Sequence, residues 1–275
     1  MRSISIVTSC RNAAKRLRET ADSVFGQHAV IAGRVSLQYV IIDAASTDDT
    51  LQELEGLARR GAIVVSEADQ GLYDGLCKGF RLATGDVLGY LNAGDVLHPA
   101  AFDALLGAFD HHHVQWVTGV TSVSAETGPV VRICAPWKFR QRAILGGLHN
   151  GKDLPFIQQE STFWRRTLME RVDLNRLAGF RLAGDAYLWS CFAQTCELHS
   201  LHAVLGEFRW HPGQLSSDRE AYFREMREAC PASSWWRWPL TCFDRCMWTL
   251  DQGWKLRLDR KCLRYDRTLG TWGHP

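Results

Sequence analysis

The sequence predicts an α/β fold: a doubly wound, mostly parallel sheet with helices on both faces and a helical C-terminal extension. Three observations predict it. Strand and helix signals alternate four times in the first 110 residues, the signature of strands joined by crossover helices. The strand signals are near-continuous apolar runs, as strands buried on both faces require. The four strand ends carry polar residues at Thr8–Arg11, Asp43–Ser46, Glu67–Asp69 and Asn92–Asp95. In open α/β sheets ligands bind outside the carboxyl ends of the strands, and core packing does not explain polarity at all four.

The elements follow in order. "SISIVTS" (3–9) is a short β-branched strand. Residues 13–27 place Leu17, Ala21, Val24 and Phe25 at helical spacing. "LQYVIIDA" (37–44) is the second strand. Residues 46–61 open with Ser and Asp cap candidates, turn Leu51, Leu54 and Leu57/Ala58 inward, and stop at Gly61. "AIVVSE" (62–67) is the third strand, and residues 73–85 are a helix ending in Gly. "DVLGYLN" (86–92) is the fourth strand, and 99–109 the next helix. Beyond residue 110 the pattern changes. "VQWVTGVTSVS" and "PVVRICA" read as strands joined by the turn "AETG" (125–128). Residues 161–172 read as a strand end passing into a helix. A further helix spans 184–194 with Tyr187, Leu188 and Cys191 on one face, and 198–211 is strand-like.

Composition is that of a soluble globular protein, 46% hydrophobic and 23% charged. No run of eighteen apolar residues is present, so no transmembrane helix is expected, and "MRSISIVTSC" lacks the pattern of a secretory signal. The nine cysteines are odd in number and form no C-x-x-C pair. They read as reduced thiols of a cytoplasmic protein, with no paired Cys/His spacing for zinc. "HHH" at 111–113 reads as a solvated loop rather than a ligand set. A net charge of +2 conceals an asymmetry, because residues 231–275 hold eight Lys/Arg against four Asp/Glu and six of the eleven Trp.

Seven stretches, in this order, resemble the family 2 glycosyltransferases of the GT-A, Rossmann-like fold: "SIVTSCRNA" (5–13), "VIIDAASTDDT" (40–50), "SEADQGLYDGLCKG" (66–79), "ATGDVLGYLNAGD" (83–95), "QESTFWRR" (159–166), "AGDAYLW" (183–189) and "FRWHPGQLSS" (208–217). The subgroup they most resemble builds bacterial capsule, exopolysaccharide or O-antigen units, as in colanic-acid-type enzymes. The resemblance implies a nucleoside-diphosphate sugar donor, a UDP-sugar in the usual case. It further implies inversion at the anomeric carbon and a saccharide or lipid-linked saccharide acceptor, with no nucleic-acid partner. It divides the chain into a nucleotide-sugar-binding half (1–97), an acceptor-binding and catalytic half of the same domain (98–217), and a Trp/basic-rich extension (218–275).

Residue by residue, the resemblance puts nucleotide-sugar contacts at Thr8, Arg11, Asp43, Asp69, Lys78, Asn92 and Asp95. Asp43 can accept from a uracil N–H or a ribose hydroxyl. The competing reading is a helix cap, and the ligand reading is preferred because Ser46 and Thr47 already offer caps. Asp69 is again a nucleoside contact, or a turn Asp before Gly71. Arg11 stands where the family often has Tyr. Its guanidinium suits a base or a phosphate, and a solvated loop residue is the equal alternative. Lys78 faces phosphate or solvent.

The family's acidic motif usually offers two or three carboxylates; here Asn92, Gly94 and Asp95 occupy those positions. One carboxylate, the donor's phosphates and water can still complete a Mg²⁺ or Mn²⁺ shell, so weak, substrate-dependent metal binding is expected. His211 is a candidate further ligand, or a satisfied loop His. Asp185 matches the family's catalytic base, whose task is to take the acceptor hydroxyl's proton. The alternative is an Asp favoured by a helix N-terminus. Gln159, Glu160, Arg209 and Gln214 are candidate sugar or acceptor contacts, and Arg165 and Arg166 are candidate structural partners for acids.

The tail pairs Trp with basic residues, which suits an anionic membrane surface and so peripheral attachment to the inner face of the plasma membrane. Two helices packed on the domain are the alternative. Two rival functions remain: a sugar-nucleotide pyrophosphorylase, whose Gly-rich loop "TSCRNAAKR" lacks, and a non-catalytic nucleotide-sugar-binding or scaffold domain.

Overall fold

A computed structural model describes residues 2–125, 128–210, 218–230, 238–259 and 261–274. In chain order the first part contains β1 (Arg2–Cys10), α1 (Ala14–Phe25), α2 (His28–Ile31), β2 (Val35–Asp43), α3 (Thr50–Arg59), β3 (Ile63–Ser66), α4 (Leu72–Leu82), β4 (Val87–Tyr90), β5 (Val96–Leu97) and α5 (Ala101–Phe109). Then come β6 (Trp116–Ala125), β7 (Val130–Cys134), α6 (Gln141–Leu145), β8 (Thr162–Arg165), α7 (Leu174–Ala178), α8 (Gly184–Ala193) and β9 (His199–Trp210). The extension holds α9 (Arg219–Ala229), α10 (Trp238–Thr249), α11 (Gln252–Leu258), β10 (Arg264–Asp266) and β11 (Thr271–Gly273).

The central sheet has nine strands in the order β3-β2-β1-β4-β8-β6-β9-β5, with β7 paired to β6. Strands β1 to β4 are parallel, in register from Arg2↔Val35 to Cys10↔Asp43. The expected parallel sheet is therefore the N-terminal half. The second half is mixed: β8 runs antiparallel to β4 and β6, whereas β9 is parallel to β6. Successive β1 residues feed different cores. Ile4 and Ile6 join Leu17, Leu54 and Phe102 on one face, and Val7 joins Leu76, Trp164 and Phe192 on the other. Both faces being apolar is why the strand runs are nearly unbroken.

Four local expectations differ. In α3 the inward stripe is Thr50, Leu54 and Leu57; Leu51 and Ala58 each lie one residue off this i, i+4, i+7 row, and both are exposed, Leu51 by 46%. Residues 166–171 form 3₁₀ turns, not an α-helix, after the strand Thr162–Arg165. The short strand β5 had no periodic signal, because its two residues pair only with Glu207 and Gly206 of β9. The extension is not helical throughout: β10 and β11 form an antiparallel hairpin.

Much of the extension packs on the domain. The amide of Leu263 donates to Ser200 at 2.8 Å, and the His202 amide donates to Leu263 at 2.9 Å. Asp244, buried, accepts from Arg140 at 2.7 Å and Trp137 at 3.3 Å. The packed alternative thus describes these residues, while Phe243, Trp254 and Leu258 stay more than half exposed.

Candidate active site

The loops leaving β1 and β2 are latched to each other. The Asn12 amide donates to Ser46 Oγ at 2.8 Å, and the Thr47 amide donates to Asn12 Oδ1 at 2.9 Å. Asn12 and Ala45 both sit at positive φ, 48° and 50°. That conformation is unfavourable for Ala and persists where surroundings over-determine it. Asp43, fully buried, completes the latch: it accepts from the Ser46 amide at 3.0 Å, from the Ser46 hydroxyl, and from Ser66 Oγ at 2.7 Å.

A cleft of about 1080 Å³ opens at the carboxyl ends of β1 and β4 and is closed from the other side by Gln159–Glu160, the end of β9, α8 and α9. Of the residues expected to bind donor, Arg11, Asp69, Asn92 and Asp95 line it. Thr8, Asp43 and Lys78 do not. Thr8 shares a buried hydrogen bond with Tyr39 at 3.1 Å, Asp43 braces the latch, and Lys78 pairs with Glu67 at 2.9 Å and donates to the Ala68 carbonyl at 2.8 Å. Gln159, Glu160, Arg209 and Asp185 line the same cleft. His211 and Gln214 lie outside the described residues. Arg165 has a structural role, donating to the Val114 and Phe109 carbonyls at 2.9 and 2.8 Å.

The cleft floor is rich in acceptors. Asp95, 3% exposed, accepts from the Arg209 amide at 3.2 Å and from Gln159 Nε2 at 3.0 Å. Around the cleft, Asn92 Oδ1, Gln159 Oε1, Glu160 Oε1 and Asp69 Oδ2 are buried without a hydrogen-bond partner. Buried acceptors normally find donors, and a hard divalent cation is an alternative partner for such oxygens. The residues at the cleft therefore fit Mg²⁺ or Mn²⁺, with Asp95 as the charged ligand. Burial raises the pKa values of both Asp95 and Glu160, and each is a like-charged neighbour in the same pocket. The rim is cationic, with Arg11, Arg16, Arg181, Arg209 and Arg219 bordering the cleft. Arg209 itself is held by Glu19 at 2.6 Å and Glu207 at 2.9 Å.

Asp185 lies in the first turn of α8. Its Oδ1 accepts from the Ala186 amide at 2.8 Å and from the Tyr222 hydroxyl at 3.3 Å. Its own amide donates to the Tyr73 hydroxyl at 3.0 Å. Tyr73 reaches this point because Gly184 has no side chain, since a Cβ there would sit 2.5 Å from the ring. Burial pushes the Asp185 pKa up to about 6 against these hydrogen bonds. From α9, Glu225 accepts the Leu182 and Ala183 amides at 2.8 and 2.9 Å, which fixes the start of α8. Tyr222 and Glu225 escaped the sequence reading. Their i, i+3 spacing puts them on one helix face, but nothing local tells which face meets a helix 37 residues earlier.

Comparison with known proteins agrees with this fold. A family model, Glycosyl transferase family 2, matches residues 5–172. An uncharacterised glycosyltransferase of Mycobacterium tuberculosis is 27% identical over 232 residues, covering 82% of this chain and 81% of the relative. Among solved structures, S. aureus TarS residues 1–349 in complex with UDP-GlcNAc superposes with a TM-score of 0.64 at 15% identity, over 94% of this chain and 70% of that one. The chain spans 42% of the longer TarS chain. Glucosyl-3-phosphoglycerate synthase from M. tuberculosis, in complex with Mn²⁺, UDP and phosphoglyceric acid, gives a TM-score of 0.56 at 16% identity, over 85% and 80% of the two chains. At these identities the structures establish a shared GT-A architecture.

Proposed function

Since the chain belongs to glycosyl transferase family 2 and is a glycosyltransferase, we propose that it moves a sugar from a UDP-sugar to a hydroxyl of a saccharide or lipid-linked saccharide, with inversion. The observation that carries this reading is the convergence of Asp95 and Asp185 on one cleft, which Glu160 also lines, its pKa raised by burial and by both carboxylates. The donor class is supported by the arginine rim, which suits a diphosphate, and by the UDP and UDP-GlcNAc bound in the structurally similar proteins.

In the reaction, the acceptor oxygen forms a bond to the anomeric carbon while the bond from that carbon to the β-phosphate oxygen breaks. The acceptor proton passes to Asp185, and the nucleoside diphosphate leaves. A carboxylate with a pKa near 6 is ionised at neutral pH yet more basic than an ordinary Asp, as a general base should be. Tyr222 and the Ala186 amide orient it. Asp95, with the unpartnered oxygens of Asn92, Gln159 and Glu160, would hold Mg²⁺ or Mn²⁺. Such a cation supplies compensation for the charge of the departing diphosphate. The rim guanidinia of Arg11, Arg16, Arg181 and Arg219 add positive charge around the cleft, whereas Arg209 is balanced by Glu19 and Glu207.

Bacterial surface polysaccharide or glycolipid assembly is the proposed setting, with peripheral attachment to an anionic membrane through the exposed Phe243, Trp254 and Leu258 beside basic residues. Among the described residues no helix is long and apolar enough to cross a membrane. The deciding experiment is transfer from UDP-sugars with Mg²⁺ or Mn²⁺ by the native chain and Asp185→Asn. Loss of transfer with UDP binding retained supports the reading, and unchanged turnover removes Asp185 as the base.

A further inference from the structure

Far from the cleft, three histidines from distant parts of the chain meet. His113 lies in the connection between α5 and β6, His199 is the first residue of β9, and His274 follows β11. One ring nitrogen from each falls within 4.8 Å of the others. His113 Nε2 and His274 Nε2 are 3.2 Å apart. Zn–N bonds of about 2.0–2.1 Å in a tetrahedral shell set ligand nitrogens roughly 3.4 Å apart, so this pair already stands at ligand spacing. His199 is 8% exposed, and its Nδ1 is buried without a hydrogen-bond partner. A buried imidazole nitrogen without a partner is costly in a packed protein, and His199 is the buried member of this three-histidine group.

We propose that His113, His199 and His274 form a binding site for a divalent transition-metal ion of the zinc class, which staples the C-terminal hairpin to the central sheet. Imidazole donors favour Zn²⁺, Ni²⁺ or Cu²⁺ over Mg²⁺ or Mn²⁺, so the site selects a different cation from the cleft. The two are well separated: His199 and Arg209 are ten residues apart along β9, about 33 Å at the rise of a strand. The surroundings are prepared for a docked hairpin. His111 Nε2 lies 2.8 Å from the Trp272 carbonyl oxygen, and the Trp272 ring fills the space over Gly107, where a Cβ would come within 2.0 Å. Within the His111–His113 loop, where His112 and His113 are exposed, His111 thus docks against the hairpin. Metal bound by all three histidines ties residue 274 to residues 113 and 199, and any ligand that binds only the folded arrangement stabilises it.

The test uses the untagged 275-residue chain, stripped with EDTA and kept in excess Mg²⁺ so that oxygen-rich sites are filled. Co²⁺ is titrated as a spectroscopic probe, then displaced with Zn²⁺. About one equivalent of Co²⁺ with the intense visible bands of a low-coordinate nitrogen site is expected, together with a rise in Tm on adding Zn²⁺. His113→Ala and His274→Ala, both at exposed positions, should each abolish the bands and weaken Zn²⁺ binding by tenfold or more, about the least that disturbing a metal site costs. Their Tm in EDTA should stay at the native value, and His112→Ala should behave like the native chain. Absence of stoichiometric Co²⁺ and of any Zn²⁺ effect on Tm overturns the proposal. So does survival of the bands in the His113→Ala/His274→Ala double variant.

Discussion

The Tyr222 hydroxyl stands 3.3 Å from Asp185 Oδ1 and 3.5 Å from Oδ2, so a helix of the C-terminal extension supplies the donor that restrains the carboxylate of α8. The Tyr222 ring also packs edge-on against Phe156, centroids 5.4 Å apart. Tyr222→Phe keeps that contact and removes the hydroxyl, which normally lowers the Asp185 pKa. The acid limb of the kcat/KM profile, expected near pH 6, should move up by about 0.5–1 unit. Turnover at pH 8 should change only a few-fold. A profile that stays in place, measured from pH 5 to 9, would show that Tyr222 does not tune the base.

Asp185→Asn should be inactive and yet more stable. A carboxyl raised from 3.8 to about 6 is bound to a proton more readily in the folded state than in the unfolded one. Stability of the native chain therefore falls as pH rises through this window. The neutral Asn escapes that cost, gaining about 1–3 kcal/mol above pH 6 and nothing below pH 4. Denaturant melts of both chains at pH 4, 5.5 and 7.5 measure the divergence; parallel curves would mean that the carboxyl is not desolvated.

Asp95 and Glu160 are buried like charges, and burial raises both pKa values. A divalent cation in the cleft must then displace protons, so its binding should weaken as pH falls from 8 to 6. Calorimetric titration of Mn²⁺ with UDP, in buffers of different ionisation enthalpy, reads that proton release directly. In Asp95→Asn the Mn²⁺ increment to UDP-induced thermal stabilisation should disappear, while the metal-free Tm rises because one buried charge is gone. Retention of the increment would relocate the cation.

Trp254 and Leu258 are i, i+4 neighbours on α11, 54% and 52% exposed, and Arg257 lies over the Trp254 ring at 5.6 Å. On vesicles containing anionic phospholipid the chain should float, and a Trp254→Ser/Leu258→Ser variant should not. The attraction should weaken in high salt. Equal flotation of both would assign the exposed rings another role.

By itself the sequence determined the α/β order, the inward face of α1, and the segments that carry Asp95 and Asp185. These depend on local regularities: apolar runs of strand length, periods of 3.6 residues, and short motifs at loop positions. Only the tertiary structure decided that Asp43 is consumed by Ser46 and Ser66, that Leu51 faces solvent, and that Tyr222 and Glu225 reach the start of α8. The same holds for His113, His199 and His274, which share no spacing that a motif could express. The physical reason is common to all of them. Periodicity records which side of an element is apolar, but a polar side chain's partner is set by how distant elements pack. That information is absent from any window of the chain short enough to be read locally.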